Sequence, residues 1–185
     1  MAQPAKPFNT GWLLARSEWV RAASMRLLFA AALCVSGSAG AATERVLFAG
    51  GRWAAIDFGP RCEARGAAVS AKRGTRPFAG FAFDRGGPGQ GRFYVRLSRA
   101  ARTGASVIAT IGSRPFLLVG KGEWAWSLDP GQQRALLDAA RYGESMRVEA
   151  RDRGGARIVD RYLLAGAATA IDAAAAQCAQ AGKAR

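Results

Sequence analysis

Two cysteines more than a hundred residues apart, Cys62 and Cys178, constrain the fold of this chain more than any other feature. If they are joined, a point early in the chain and a point near its end must meet. Pairing depends on the redox compartment, because disulfides persist outside the cytosol and are reduced within it. Residues 25–41 address that question. Arg26 supplies a positive start, Leu27–Val35 is an apolar run of nine residues, and Ala39-Gly40-Ala41 is a small-x-small cleavage site. This is the pattern of a secretory signal peptide. The run falls far short of the ~20 residues that span a bilayer, so no transmembrane span is expected in the mature chain. Residues 1–24 read as a misassigned N-terminal extension, with Met25 the true start. A long leader carrying Lys6, Arg16 and Arg21 is the alternative. Cys34 lies inside the apolar run, after Leu33 rather than a small residue, and is expected to leave with the signal.

Export would place Cys62 and Cys178 in an oxidising compartment, the periplasm or beyond. Two cysteines permit one intramolecular pairing; two separate buried thiols are the other reading. In the chain-entropy model, closing a loop of this length stabilises by roughly 4–5 kcal/mol.

The mature chain is expected to begin near Ala42 and is strongly basic. Removing Lys6, Arg16, Arg21, Arg26 and Glu18 from 27 basic and 13 acidic residues leaves 23 and 12, a net of +11. A GC-rich genome would also raise the arginine content. A basic surface favours anionic partners through salt-sensitive contacts.

Histidine is absent. That removes the commonest general base and the commonest metal ligand. A Ser–His–Asp or Cys–His arrangement is impossible, and a Cys-x-x-Cys redox pair or thiolate zinc site lacks its cysteines. Lys72 and Lys121 are the lysines inside the domain, and neither stands in a Ser-x-x-Lys spacing. A non-enzymatic protein with no metal and no cofactor is expected. The scattered carboxylates leave one alternative, a secreted hydrolase or enzyme inhibitor using a pocket beside the loop at Gly86–Gly91.

Short apolar runs recur every 8–15 residues between Gly, Pro and Arg clusters. That spacing predicts a mainly β, sandwich-like single domain over 42–178 with two short helices near its end and a flexible tail over 179–185. The expected strands are Arg45–Ala49, Trp53–Phe58, Ala64–Ala71, Phe78–Asp84, Arg92–Ser98, Ser106–Ile111, Pro115–Val119, Glu123–Trp126, Ser145–Arg151 and Arg157–Leu164. Alternation turns Phe93, Val95 and Leu97 inward and leaves Arg92, Tyr94 and Arg96 outside. It likewise buries Met146, Val148 and Ala150 and exposes Arg147, Glu149 and Arg151. Phe116-Leu117-Leu118-Val119 is apolar on both faces and predicts a fully covered central strand or part of a partner interface. Asp129-Pro130-Gly131-Gln132 opens a helix: Asp129 caps it, Pro130 suits its first position, and Gln132 can reach back. Gly143 is the expected stop. A second helix runs from about Ala167 to Cys178, with Ile171, Ala174, Ala175 and Cys178 on one face.

Three stretches invite a functional reading. The loop Asp84–Gly91 carries four glycines, which predict mobility, but it lacks Gly-x-x-x-x-Gly-Lys-Ser/Thr and precedes a strand, so a plain hairpin loop is expected. Gly91–Arg99 mixes arginines with aromatics, as single-stranded nucleic-acid binders do; export makes an amphipathic strand the better reading and nucleic acid an improbable physiological partner. Trp124 and Trp126 fall on one face of their strand, where core or rim packing is expected rather than a sugar platform.

The order of features resembles a family. An early Trp53 and Cys62 follow the signal peptide, and Arg147–Ile171 contains Tyr162-Leu163-Leu164-Ala165-Gly166 before an Ala-rich helix that ends at Cys178. From Arg52 to Cys178 the chain resembles the invasion-associated locus B proteins, exported by proteobacteria. The resemblance implies a β-sandwich-like domain in the periplasm or at the outer membrane, linked in pathogens to host-cell invasion and without a catalytic motif. The expected function is a cell-envelope module that binds an anionic surface or a protein partner through exposed Arg92, Arg96, Arg147 and Arg151.

Overall fold

The computed structural model describes residues 44–69, 75–87 and 91–180. The leader, the cleavage site and the end of the tail lie outside the described residues. Ten strands form in chain order: β1 (Arg45–Gly50), β2 (Trp53–Asp57), β3 (Arg61–Ala67), β4 (Phe78–Asp84), β5 (Arg92–Arg96), β6 (Val107–Ile111), β7 (Arg114–Lys121), β8 (Trp124–Trp126), then β9 (Ser145–Arg151) and β10 (Arg157–Leu163). Helix α1 (Pro130–Tyr142) separates β8 from β9, and α2 (Ala167–Gln180) follows β10. All pairings are antiparallel, in one sheet of order β1-β2-β3-β4-β5-β8-β7-β6-β9-β10. The fold is therefore the mainly β domain with two late helices that the spacing predicts.

The sheet rolls over on itself. The Val69 N–H donates to the Arg161 carbonyl at 2.7 Å, and the Trp53 indole N–H donates to the Leu163 carbonyl at 2.8 Å. The last strand thus returns to the ends of β2 and β3. Gly166 makes a second closure possible. Its φ is +89°, and a Cβ there would stand 2.4 Å from the Gly50 carbonyl oxygen, so the turn entering α2 rests directly on the β1–β2 turn.

The core lies inside this roll. Phe81, Phe83, Phe93, Val95, Val107, Met146, Val148, Ile158 and Ile171 are all buried there. The inward sets expected on β5 and β9 are the buried ones. Helix α2 lies on β1–β4 and buries Ala167, Ala170, Ile171, Ala174 and Cys178. The disulfide Cys62–Cys178 joins that helix to β3, with the two Cα atoms 5.8 Å apart. Beside it, Asp57 accepts from the Gly59 N–H at 2.9 Å, from Arg85 at 2.7 Å and from Gln177 of α2 at 3.0 Å. Burial pushes the Asp57 carboxyl up, but these donors outweigh it and hold the group below the usual carboxylate range.

Four local readings change. β3 begins at Arg61 rather than Ala64, because Gly59 and Pro60 close a tight turn and the Phe58 N–H bonds the Arg61 carbonyl at 2.9 Å. The Gln132 side chain reaches one residue past the cap, accepting from the Leu128 N–H at 2.8 Å while Asp129 accepts from the Gln132 N–H. Gly143 ends α1 with φ −80°, so left-handed backbone is not its role; a Cβ there would stand 2.6 Å from an Ile111 methyl. β7 lies well inside the sheet order, yet only Phe116 and Leu118 are buried; Leu117 is 54% exposed and Val119 37%. The strand is therefore not the fully covered one that its sequence predicts.

Candidate functional site

Once one side of each strand fills the core, the other side forms the outer face of the sheet. Two regions of that face carry the expected arginines.

The first is the β9–β10 hairpin at the end of the sheet. Its register sets Arg147 opposite Arg161 and Arg151 opposite Arg157, with Glu149 opposite Val159 between them. The register follows from the turn: the Asp152 N–H donates to the Ala156 carbonyl at 2.9 Å, the Ala156 N–H donates to the Asp152 carboxylate at 2.8 Å, and the Gly155 N–H donates to the Asp152 carbonyl at 2.9 Å. Like charges directly opposed on one face repel. Glu149 offsets part of this by contacting Arg147 at 2.8 Å and pairing with Arg157. The Arg151 guanidinium donates to the Gly155 carbonyl at 3.1 Å. Arg161 has no carboxylate partner among the described residues. Beside this hairpin lies a groove of about 350 Å³ whose lining includes Arg147, Arg161, Thr110 and Ser145 and no carboxylate.

The second region is the outer face of β3, β4, β5 and β8, four interior strands. Glu63 sits on its floor with 1% of its side chain exposed. Arg61 contacts it at 2.7 Å and Arg65 at 2.6 Å, and the Tyr94 hydroxyl donates to it. Arg65 also donates to the Tyr94 oxygen at 3.0 Å. Burial first, and then the adjacent Glu63 carboxylate, pushes the Tyr94 phenol well above its ordinary value despite Arg65. Tyr94 crosses the sheet flat over Gly80, where a Cβ would stand 2.8 Å from the ring and 2.9 Å from the Ala64 carbonyl. Arg65 lies over Phe58 and Phe78, at 4.7 and 5.2 Å from their centroids. Phe78 meets Trp124 edge-on at 5.8 Å and Tyr94 at 6.0 Å. The result is a fixed aromatic platform with a groove of about 490 Å³ bounded by Trp124, Trp126, Tyr94 and the start of α1.

The four arginines singled out in the sequence thus divide. Arg92 and Arg96 border the platform, and each has an acidic partner: Arg92 holds both oxygens of Asp84 at 2.8 and 2.9 Å, and Arg96 contacts Glu123 at 3.1 and 3.2 Å. Arg147 and Arg151 belong to the hairpin. Sequence reading missed Arg157 and Arg161, which the turn length at Asp152–Ala156 would have placed opposite them. It also missed Arg61, Glu63 and Arg65, because a late start for β3 hid their shared face. Trp124 and Trp126 do not enter the core; Ala125 between them does, and the two indoles stand 42% and 39% exposed.

Among the described residues no helix is long and apolar enough to cross a membrane. Comparison with protein-family models, curated proteins and solved structures finds no match for this chain.

Proposed function

We propose that this chain is an exported, non-enzymatic cell-envelope protein of the invasion-associated locus B type, acting in the periplasm or at the outer membrane by contact with an anionic envelope component. One observation carries the reading: the hairpin holds two arginine pairs in direct cross-strand opposition beside a groove without a carboxylate. Such a face is electrostatically unsatisfied alone and is relieved by a bound anion. Phosphate groups of a lipid or lipopolysaccharide head supply that charge, and guanidinium forks match their oxygens. The disulfide accords with export.

Co-sedimentation with vesicles tests the proposal. The protein is expected to pellet with phosphatidylglycerol vesicles at low salt, to remain in solution with phosphatidylcholine vesicles, and to be released as salt shortens the Debye length. Replacing Arg147 and Arg161 with Gln is expected to lower binding about thirtyfold, since each lipid-facing cation contributes about 1 kcal/mol. Equal retention on both lipids would end the reading. Fractionation of a tagged protein checks export separately.

A further inference from the structure

We infer that the aromatic platform on β3, β4, β5 and β8 is a second binding site, one that takes a neutral saccharide chain stacked on Trp124 and Trp126. This goes beyond the anionic contact at the hairpin and does not depend on it.

The platform has the chemistry of a sugar site and lacks that of its competitors. Two indoles stand at alternate positions of one strand, so their rings rise from the same face. Both are about two-fifths exposed, while the third tryptophan of the domain, Trp53, is buried. Trp124 is fixed from the side by Phe78 and Tyr94, so its exposed surface is ordered before any ligand arrives. The negative face of an indole attracts the weakly positive C–H groups on the flat side of a pyranose. The polar rim offers what hydroxyls need. Arg61 and Arg92 carry further N–H donors, and the Ser127 hydroxyl, which donates to the Gln133 side-chain oxygen at 3.3 Å, keeps its lone pairs for a ligand hydroxyl. The volume of about 490 Å³ falls in the range of small-ligand sites.

A polyanion is disfavoured because the bordering arginines already face carboxylates: Arg61 and Arg65 face Glu63, Arg92 faces Asp84, and Arg96 faces Glu123. Phosphate binding depends on cations free to replace counterions. An extended peptide added as a strand is also disfavoured. β3, β4, β5 and β8 each have a neighbour on both sides, so no sheet edge is open there. The apolar lining is mostly aromatic, with Ala82 the aliphatic side chain, so the groove offers little to an acyl tail.

The test is calorimetric titration of the full chain with chitotriose and cellotriose, together with tryptophan emission. Binding of at least one trisaccharide is expected, with a shift in emission from the exposed indoles. Affinity should change less than about twofold between low and high salt, because no net charge is neutralised. Trp126→Ala is expected to lower affinity at least about tenfold, the loss of one stacking anchor. Trp124→Phe, which keeps a ring against Phe78 and Tyr94, should weaken it less. The hairpin variant Arg147→Gln/Arg161→Gln should bind sugar as the parent does. No heat with either trisaccharide, binding that disappears in salt, or a folded Trp126→Ala protein that binds as tightly as the parent would each overturn the inference.

Discussion

The two arginine-bearing regions of the outer sheet face use the same side chain under opposite conditions. On the hairpin, arginines oppose arginines, Glu149 is shared between two of them, and Arg161 has no acidic partner among the described residues. On the platform, arginines are matched to carboxylates and stacked on rings. The first arrangement sets like charges against each other across the strands, which costs stability. The second contributes stability now and leaves little charge to offer. Basic residues are therefore not one property of this protein: the hairpin sets like charges opposite each other, and the platform pairs its cations with carboxylates and rings.

The disulfide should separate the two regions most strongly. It anchors α2 to β3, on the platform half of the sheet. Cys62→Ser/Cys178→Ser is expected to lose about 4–5 kcal/mol in a denaturant titration, from the entropy of a loop closed over 116 residues. Hydrogen exchange in that variant should rise first in β2–β4 and last in the β9–β10 hairpin. Uniform exchange across both regions would mean that the disulfide supports the whole sheet and that the halves are not distinct.

Glu63 comes next. Glu63→Gln keeps the shape but removes the charge that holds Arg61, Arg65 and the Tyr94 hydroxyl. Loss of a buried, charge-assisted cluster costs about 1–3 kcal/mol, moderated because both arginines retain access to water. Urea unfolding measures it, and a loss below about 0.5 kcal/mol, the range of ordinary surface changes, would show that the rings alone organise the platform.

How much of this was legible in the sequence follows from the physics of each element. Strands such as β5 and β9 alternate large apolar and charged residues, so their burial is readable one residue at a time. The α1 cap is local chemistry at Asp129 and is equally readable. β3 is different. Arg-Cys-Glu-Ala-Arg presents only a cysteine and an alanine to the core, too small an apolar signal to mark a strand start. Its carboxylate is buried by residues from β5 and by its own neighbours, a pairing set by the register of β3, β4 and β5. Trp124 and Trp126 were legible only as a choice between core and rim: the small Ala125 holds the core position, which alternation alone leaves undecided, and Trp124 packs at the rim against Phe78 and Tyr94. The hairpin arginines were half legible, since one strand shows charge but only the pair shows repulsion.

Acid offers a finer comparison. The Asp57 carboxyl is held below its ordinary value when folded, so the unfolded chain binds its proton first as pH falls. Its stabilisation is complete above the unfolded value near 3.8 and is lost as pH drops through the lower folded value. The midpoint of urea unfolding should therefore fall below about pH 4, and Asp57→Asn should flatten that slope. The hairpin variant should keep the slope of the parent, because Asp57 bonds Arg85 and Gln177 on the α2 side of the molecule and neither hairpin arginine.

The smallest expected effect bears most directly on the contrast. If opposed arginines repel, Arg147→Gln/Arg161→Gln removes a penalty and should stabilise the free protein by a few tenths of a kcal/mol. The gain should shrink in high salt, where the parent's repulsion is already screened. Vesicle binding should move the other way and weaken. Stability and binding of opposite sign from one substitution is the signature of a face optimised for a partner. The matching change on the platform, Arg65→Gln, loses both Glu63 and the stack on Phe58 and Phe78, and should destabilise at every salt concentration. A hairpin variant that loses stability would mean that the contact of Arg147 with Glu149 outweighs the repulsion from Arg161, and the two regions would then be alike.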